Sequence, residues 1–234
     1  QQGMLNFMFL TRVMKHPQGF ASRPEFQAAD GRPVFDRSSV FYDGNSQGGI
    51  LGGVILAASQ DVTRGSLGSL GMNYSTLLNR SRDFDQFALI VYTSYQDPLE
   101  RQLLFGLMQM LWDRSENDGY AAHLTDNSAF GGEPKIVKLD PQFGDQQVTE
   151  WSAEVMARTM GVPADYTMSD RVAAKLGAGQ RHPDIKRGHG MARLDYKDKE
   201  QIKGGALVVW DDERSAIPPI ENLPPRPEAP LDRD

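Results

Sequence analysis

The stretch that decides the fold runs from residue 40 to residue 58 and reads VFYDGNSQGGILGGVILAA. Its apolar start, Val40 to Tyr42, predicts a short buried strand, and the glycine-punctuated run from Gln47 to Ala58 predicts a helix. Between them lies a G-x-S-x-G match centred on Ser46, the pattern of a nucleophile elbow, in which a serine occupies a sharp strand-to-helix turn. The sequence therefore predicts an α/β unit with an exposed serine at its turn.

Glycines surround this serine on both sides, and each removes a side chain from a crowded place. The glycines two positions before and after Ser46 avoid clashes at the turn, and the later ones let the helix lie close to the strands. The amide of Gln47 would then supply half of an oxyanion hole. The alternative is an ordinary strand-to-helix turn in which Ser46 caps the helix. The glycines concerned are Gly44, Gly48, Gly49, Gly52 and Gly53.

Length and composition are those of an ordinary globular protein. The chain has 234 residues, of which 39% are hydrophobic and 24% charged, and its formal net charge is −6. This charge argues against a nucleic-acid partner, because such proteins concentrate Lys and Arg. The longest apolar runs fall short of the roughly 20 residues that a membrane span needs. Cysteine is absent, which excludes disulfides and thiolate metal sites, and we expect neither a metal nor an organic cofactor.

Strand-like and helical segments alternate along the chain, which predicts an α/β fold with a mostly parallel sheet flanked by helices. We expect one domain over residues 1–216 with a helical, lid-like insertion at about 73–130. The helices at 4–15 and 99–114 are apolar on nearly every face and should be buried on several sides. Six prolines make the tail, 217–234, extended. The predicted strands are 40–42, 65–70, 135–139 and 206–210, and the predicted helices are 4–15, 47–58, 74–91, 99–114 and 148–159.

Four blocks of sequence together resemble a known family. From Gln1 to roughly Asp232 the chain is similar to the C-terminal part of a group of large bacterial α/β-hydrolase-fold proteins. The resemblance implies the second half of an α/β-hydrolase fold, with a Ser, acid and His triad in that chain order. The blocks are Phe41 to Gly49, Gly71 to Ser75, Gln109 to Arg114 and Ala206 to Asp211.

Ser46 and Asp145 match the first two positions of that triad. Asp145 follows the strand predicted at 135–139, and active-site groups of parallel sheets collect at the carboxyl ends of strands. The acid would orient and stabilise an imidazolium. The alternative role of Asp145 is to cap the helix that begins near Val148, and Asp140, at the strand end, is the rival acid.

The histidine departs from the pattern of the family. No His follows Trp210, and Gln146 stands where the family pattern has His. The candidate bases in this chain are His189, which we favour, His182 and His123. Each of these also has the simpler interpretation of a solvated or locally hydrogen-bonded side chain. Without a base, a serine hydroxyl is a poor nucleophile.

The predicted sheet is also incomplete. A hydrolase sheet has about eight strands, and the strands predicted here all match its second half. The first half would supply the second oxyanion amide and cover the edge of the strand before Ser46. We therefore expect a companion chain or subunit. The chain opens Gln1-Gln2-Gly3 without Met, which indicates an internal start, and we favour a secreted or cell-envelope location over a cytoplasmic one.

Two functions are compatible with these features. The first is a serine hydrolase of esterase or lipase type acting on a small ester, with Ser46, Asp145 and a histidine as its triad. The second is a catalytically inactive hydrolase-fold subunit with a structural or interaction role in a larger assembly. Gln146 and the incomplete sheet favour the second.

Overall fold

The computed structural model describes residues 1–126, 130, 132–165, 190–195, 197–198, 200–210, 218–219 and 221–225. Helices and strands alternate over most of this length, and short 3₁₀ turns lie between them. The helices are α1 (Gln2–Lys15), α2 (Gln47–Ala58), α3 (Tyr74–Leu77), α4 (Asp85–Ser94), α5 (Pro98–Trp112) and α6 (Glu150–Met160). The strands are β1 (Val40–Asn45), β2 (Val62–Gly68), β3 (Ile136–Asp140), β4 (Ala164–Asp165) and β5 (Gly205–Val208).

The described strands form one parallel sheet in the order β1-β2-β3-β5-β4. One row of paired residues crosses all of it: Gly44, Leu67, Leu139, Leu207 and Ala164. The three leucines and the alanine of this row are fully buried and belong to the main hydrophobic core. The predicted α/β class, with a parallel sheet flanked by helices, is therefore confirmed.

The elements differ from the prediction mainly at their ends. β1 extends to Asn45, because the residues after the apolar triplet pair with β2. The helix predicted at 74–91 is instead broken, since Ser81 is extended and its side chain accepts a hydrogen bond from the Asp83 amide. β4 was not predicted because its two residues follow Pro163 without an apolar run.

Glycine lets α2 lie very close to the sheet. A Cβ atom at Gly49 would be 2.4 Å from the Gly68 carbonyl oxygen, and one at Gly52 would be 2.5 Å from Cδ2 of Leu67. A side chain at Gly49 would meet a backbone oxygen, and one at Gly52 would have to displace the fully buried Leu67, so the glycines allow α2 to lie this close to the sheet. The close packing expected of this helix is confirmed, and it fixes the helix N-terminus at the carboxyl end of β1.

Two apolar helices expose faces that the sequence predicts to be buried. α1 buries only Met4 and Thr11, and α5 only Phe105 and Gln109. The expectation of burial on several sides is therefore wrong for this chain by itself. Within the described residues, no helix is both long and apolar enough to cross a membrane. The exposed apolar residues are Leu5, Phe7, Phe9, Leu10 and Val13 on α1, and Leu99, Leu103, Leu107, Met110 and Leu111 on α5.

The described part of the proline-rich tail packs on the domain. Residues 218–219 and 221–225 form neither helix nor strand, as their prolines predict. Pro218 and Pro225 are buried, and the Pro219 carbonyl accepts a hydrogen bond of 3.2 Å from Nη1 of Arg80.

Candidate active site

Ser46 has a strained backbone at the turn between β1 and α2. Its φ is 55° and its ψ is −121°, a region that residues other than glycine rarely adopt. Its amide donates a hydrogen bond of 2.9 Å to the Gly68 carbonyl, and its own carbonyl accepts from the amides of Gly49 at 2.8 Å and Ile50 at 2.9 Å. The turn is thus tied to β2 on one side and to α2 on the other, and these bonds hold the strained conformation.

The side chain of Ser46 is exposed and does not cap α2. Neither its hydroxyl nor the amide of Gln47, the first residue of α2, has a hydrogen-bond partner in the described part of the chain. A hydroxyl and a free helix amide therefore lie on adjacent residues at a helix N-terminus. The partial positive charge of such an end favours a negatively charged oxygen.

The two glycines of the G-x-S-x-G pattern play unequal roles. A Cβ atom at Gly44 would lie 2.4 Å from the Gly48 carbonyl oxygen, whereas one at Gly48 would meet only the Tyr42 hydroxyl, at 3.7 Å. The Tyr42 hydroxyl donates a hydrogen bond of 2.8 Å to the same Gly48 carbonyl. Burial, with a smaller effect of Asp43, raises the pKa of Tyr42, so this hydroxyl remains a donor. Sterics therefore require glycine at 44 but not at 48.

The rival acid, Asp140, lies at the same edge of the sheet as Ser46. Asn45, Gly68 and Asp140 are in register across β1, β2 and β3, and two strand spacings separate β1 from β3 by about 10 Å. Both oxygens of Asp140 are engaged, because Oδ2 lies 2.8 Å from Nζ of Lys138 and Oδ1 accepts a hydrogen bond from Nε1 of Trp210.

Asp145, the predicted acid of the triad, caps the turn that precedes α6. Its Oδ1 accepts hydrogen bonds from the amides of Gln147 at 2.8 Å and Val148 at 3.0 Å. This is the capping role that the sequence also allows. Its other oxygen has no partner among the described residues. Asp145 therefore offers an imidazole an oxygen without a described partner, whereas each oxygen of Asp140 already has one.

Of the predicted bases, His123 lies in the described part of the chain, and it is not near Ser46. His182 and His189 lie outside the described residues. His123 precedes Leu124, whose carbonyl accepts a hydrogen bond of 2.8 Å from the amide of Lys135, directly before β3. This position is the amino-terminal edge of the sheet, opposite to the elbow, so the interpretation of His123 as the base is wrong.

No sequence pattern indicates the role of Asn117, a fully buried residue beneath the elbow helix. Its Nδ2 donates to the carbonyls of Gly49 at 2.9 Å and Gly71 at 3.0 Å, and its Oδ1 accepts from the amide of Gly53 at 2.8 Å. In a regular helix the Gly53 amide bonds to the Gly49 carbonyl. The side chain of Asn117 thus bridges the very pair of groups that normally bond to each other.

In the described part of the chain, one cluster of three acidic residues has the spacing of a cation site. Carboxylate oxygens of Asp113, Glu116 and Asp118 lie within 4.8 Å of one another. The oxygens of Glu116 already accept hydrogen bonds from Nε2 of Gln109 at 2.5 Å and from the Asp118 amide at 2.9 Å. Burial raises the pKa of Glu116. The absence of a metal stays a prediction.

Comparison with protein-family models, with curated proteins and with solved structures finds no match to this chain. The fold and the site define an α/β protein with a parallel sheet and a strained, exposed serine between β1 and α2. The relation to the α/β-hydrolase family remains a prediction based on the sequence blocks.

Proposed function

We propose that the protein is a serine hydrolase of esterase or lipase type with Ser46 as its nucleophile. The observation that supports this most is the backbone of Ser46, with φ 55° and ψ −121°. Such a conformation costs about 1–3 kcal/mol and persists only where the surrounding structure imposes it. A serine that merely capped a helix would need an ordinary extended backbone and a side-chain bond to the helix amides. Ser46 has neither.

The proposed reaction uses groups at the carboxyl edge of the sheet. Oγ of Ser46 attacks the ester carbonyl carbon while an imidazole, for which we propose His189, takes the hydroxyl proton. The Gln47 amide donates to the oxygen that becomes negatively charged. The imidazolium returns its proton to the departing alcohol, and water then releases the acid by the same steps. The unpaired oxygen of Asp145 accepts from the imidazole and stabilises its charged form.

The proposal includes the second half of a hydrolase fold with a lid-like insertion. The segment between β2 and β3 contains α3, α4 and α5. It leaves the sheet at the edge where Ser46 lies, since β2 ends at Gly68 and α3 begins at Tyr74. The Ser75 amide donates to Oε1 of Gln109 on α5 at 2.9 Å, which holds the insertion together. Placed there, it would shield a small ester from water.

A companion chain or subunit is part of the same proposal. Among the described strands, β1 pairs only with β2, and an unpaired edge of a parallel sheet is normally covered. Phe41 on β1 is 60% exposed, and the neighbouring α1 exposes its apolar face. A further parallel strand along β1 would cover this edge and could bring the second oxyanion donor.

The competing function is an inactive hydrolase-fold subunit. The observation in its favour is Gln146, which stands beside Asp145 where the family pattern has the base. In that case the elbow would be a structural remnant, and the exposed faces of α1 and α5 would serve assembly alone.

A serine-reactive fluorophosphonate probe separates the two functions. We expect the protein, with any companion chain retained, to be labelled at Ser46, and labelling to disappear in Ser46→Ala. Ser69→Ala is the matched control, because Ser69 also has a positive φ, 40°, and lies at the same edge. No labelling of the intact assembly would favour the inactive subunit. Native mass spectrometry tests the companion separately, since a lone species of 26.0 kDa would contradict it.

A further inference from the structure

A buried carboxyl group lies beneath the loop that carries Asp145. Glu150, the first residue of α6, is 2% exposed, and neither of its carboxyl oxygens has a hydrogen-bond partner within the described residues. Oγ1 of the preceding Thr149 is likewise buried and without a partner there. A charged carboxylate without partners is strongly unfavourable in such a place, whereas a protonated carboxyl is tolerated.

The surroundings of Glu150 disfavour its charged form. Burial raises its pKa from 4.5 to about 8, and the nearby carboxylates of Glu154 on α6 and Asp145 on the loop act in the same direction. The backbone amides of Gly144 and of Glu150 itself lower the pKa in part, although neither is aligned for a full hydrogen bond. The group therefore keeps its proton at neutral pH.

One cation faces this group from the segment between α3 and α4. Arg80 interacts favourably with the charged form of Glu150. However, its guanidinium also lies 4.6 Å from the centre of the Trp151 ring and donates to the Pro219 carbonyl. Arg80 is itself partly desolvated, which lowers its pKa. Neither oxygen of Glu150 accepts a hydrogen bond from it, so a charged Glu150 would lack the hydrogen-bonded ion pair that a buried carboxylate needs.

The loop above Glu150 is held by the buried side chains of Phe143 and Val148 and by hydrogen bonds to neighbouring segments. Gly144 has a φ of 70°, the Phe143 amide donates to the Trp210 carbonyl at 2.6 Å, and the Arg82 amide donates to the Gln146 carbonyl at 2.8 Å. A negative charge beneath this loop would have to be hydrated. Water would then enter under the loop, or the loop would move away from its neighbours.

We propose that Glu150 is a positioning residue for Asp145, in that its protonated carboxyl keeps the loop of residues 142–148 closed and loss of this proton opens it. The inference rests on the proposed function only where it treats Asp145 as the acid of a triad. Glu150 holds its proton more tightly in the closed loop than in the open one, so the equilibrium constant for opening increases as pH rises. This increase stops once Glu150 also ionises in the closed loop.

Hydrogen exchange of the full protein, followed by mass spectrometry, tests the proposal without any activity. After correction for intrinsic exchange, we expect the protection of residues 142–148 to fall by up to about tenfold per pH unit between about pH 5 and 8, then to level off. In Glu150→Gln, which cannot titrate, protection should stay constant. In Glu154→Gln, the control one turn along α6, the fall should remain but level off at a lower pH, because one negative neighbour is gone.

Constant protection of the loop in the wild type, or the same fall in Glu150→Gln, would overturn the proposal. If Glu150→Gln does not fold, the level of protection in the wild type decides. Local opening keeps the protection of residues 142–148 well below that of the core strands, which exchange by global unfolding, so a loop as strongly protected as those strands would overturn the proposal. Fluorophosphonate labelling over the same pH range separates the two proposals. A loop that opens with pH while Ser46 is never labelled would support the role of Glu150 in loop closure and refute the hydrolase.

Discussion

Asn117 and Gly53 are joined by a hydrogen bond of 2.8 Å between Oδ1 of the asparagine and the backbone amide of the glycine. A Cβ atom at Gly53 would lie 2.4 Å from this oxygen, so the contact exists only because the helix has a glycine there. The bond ties α2, and with it the elbow at Ser46, to the insertion between β2 and β3. The position of the nucleophile therefore depends on a residue far from it in sequence.

Replacing Asn117 by alanine should destabilise the protein by about 3 kcal/mol, because buried groups of Gly49, Gly53 and Gly71 lose their partner. Urea unfolding followed by fluorescence measures this free energy. Asn6→Ala, at an exposed position of α1, is the control and should change it by less than about 0.5 kcal/mol. Equal effects of the two substitutions would show that Asn117 does not hold the helix.

The two glycines of the elbow should respond differently to alanine. Gly44→Ala places a methyl group 2.4 Å from a backbone oxygen, so we expect loss of Ser46 labelling together with a large fall in the melting temperature. In Gly48→Ala the added methyl group makes only an ordinary contact at 3.7 Å. This variant should therefore keep most of the Ser46 labelling and a melting temperature near that of the wild type. A Gly44→Ala protein that is labelled at the wild-type rate would refute this geometry of the turn.

The order of strands and helices around the elbow could be predicted, because it depends on local patterns. The apolar triplet at 40–42 and the glycine-punctuated apolar run at 47–58 are each continuous in sequence, and the structure places α2 at the predicted residues. The exposure of α1 and α5 could not be predicted, since an apolar helix indicates that burial is needed but not which chain provides it. β4 has two residues, too few to leave a pattern.

The two candidate acids can be distinguished by amide substitutions. Asp145→Asn keeps an oxygen that can cap the turn but offers an imidazole no negative charge, so we expect ester turnover or probe labelling to fall by about 10³-fold or more. Asp140→Asn should cost less than about tenfold, because both oxygens of Asp140 are already engaged. The opposite ranking would make Asp140 the acid. Melting temperatures of both variants show that folding is not the cause.

The sequence indicated the edge of the sheet at which the site lies, but not the partners within it. Ser46 and both aspartates follow strands, and this is visible in the pattern. Which oxygen of Asp145 is free, and that Asn117 bridges α2, depends on contacts between segments distant in the chain. The burial of Glu150 could not be predicted from the sequence either. A glutamate in the first turn of a helix is usually solvated and stabilises the helix through its dipole.

The stability of the protein should depend on pH through Glu150. Its pKa is about 8 in the folded chain against 4.5 for an ordinary glutamate, so between these values the unfolded chain is ionised there while the folded chain keeps the proton. The wild-type free energy of unfolding should therefore lose up to about 1.4 kcal/mol per pH unit from this group as pH rises, and the loss should stop above about pH 8.

Glu150→Gln has no such proton. Its free energy of unfolding should therefore increase relative to that of the wild type as pH rises over the same range. Urea unfolding at unit intervals between about pH 5 and 9 measures the difference, which cancels the other titrating groups that both proteins share. Glu25→Gln, at an exposed position, is the control and should run parallel to the wild type. If Glu150→Gln also runs parallel, the carboxyl of Glu150 is charged in the folded protein, and the loop above it is held by its other bonds alone.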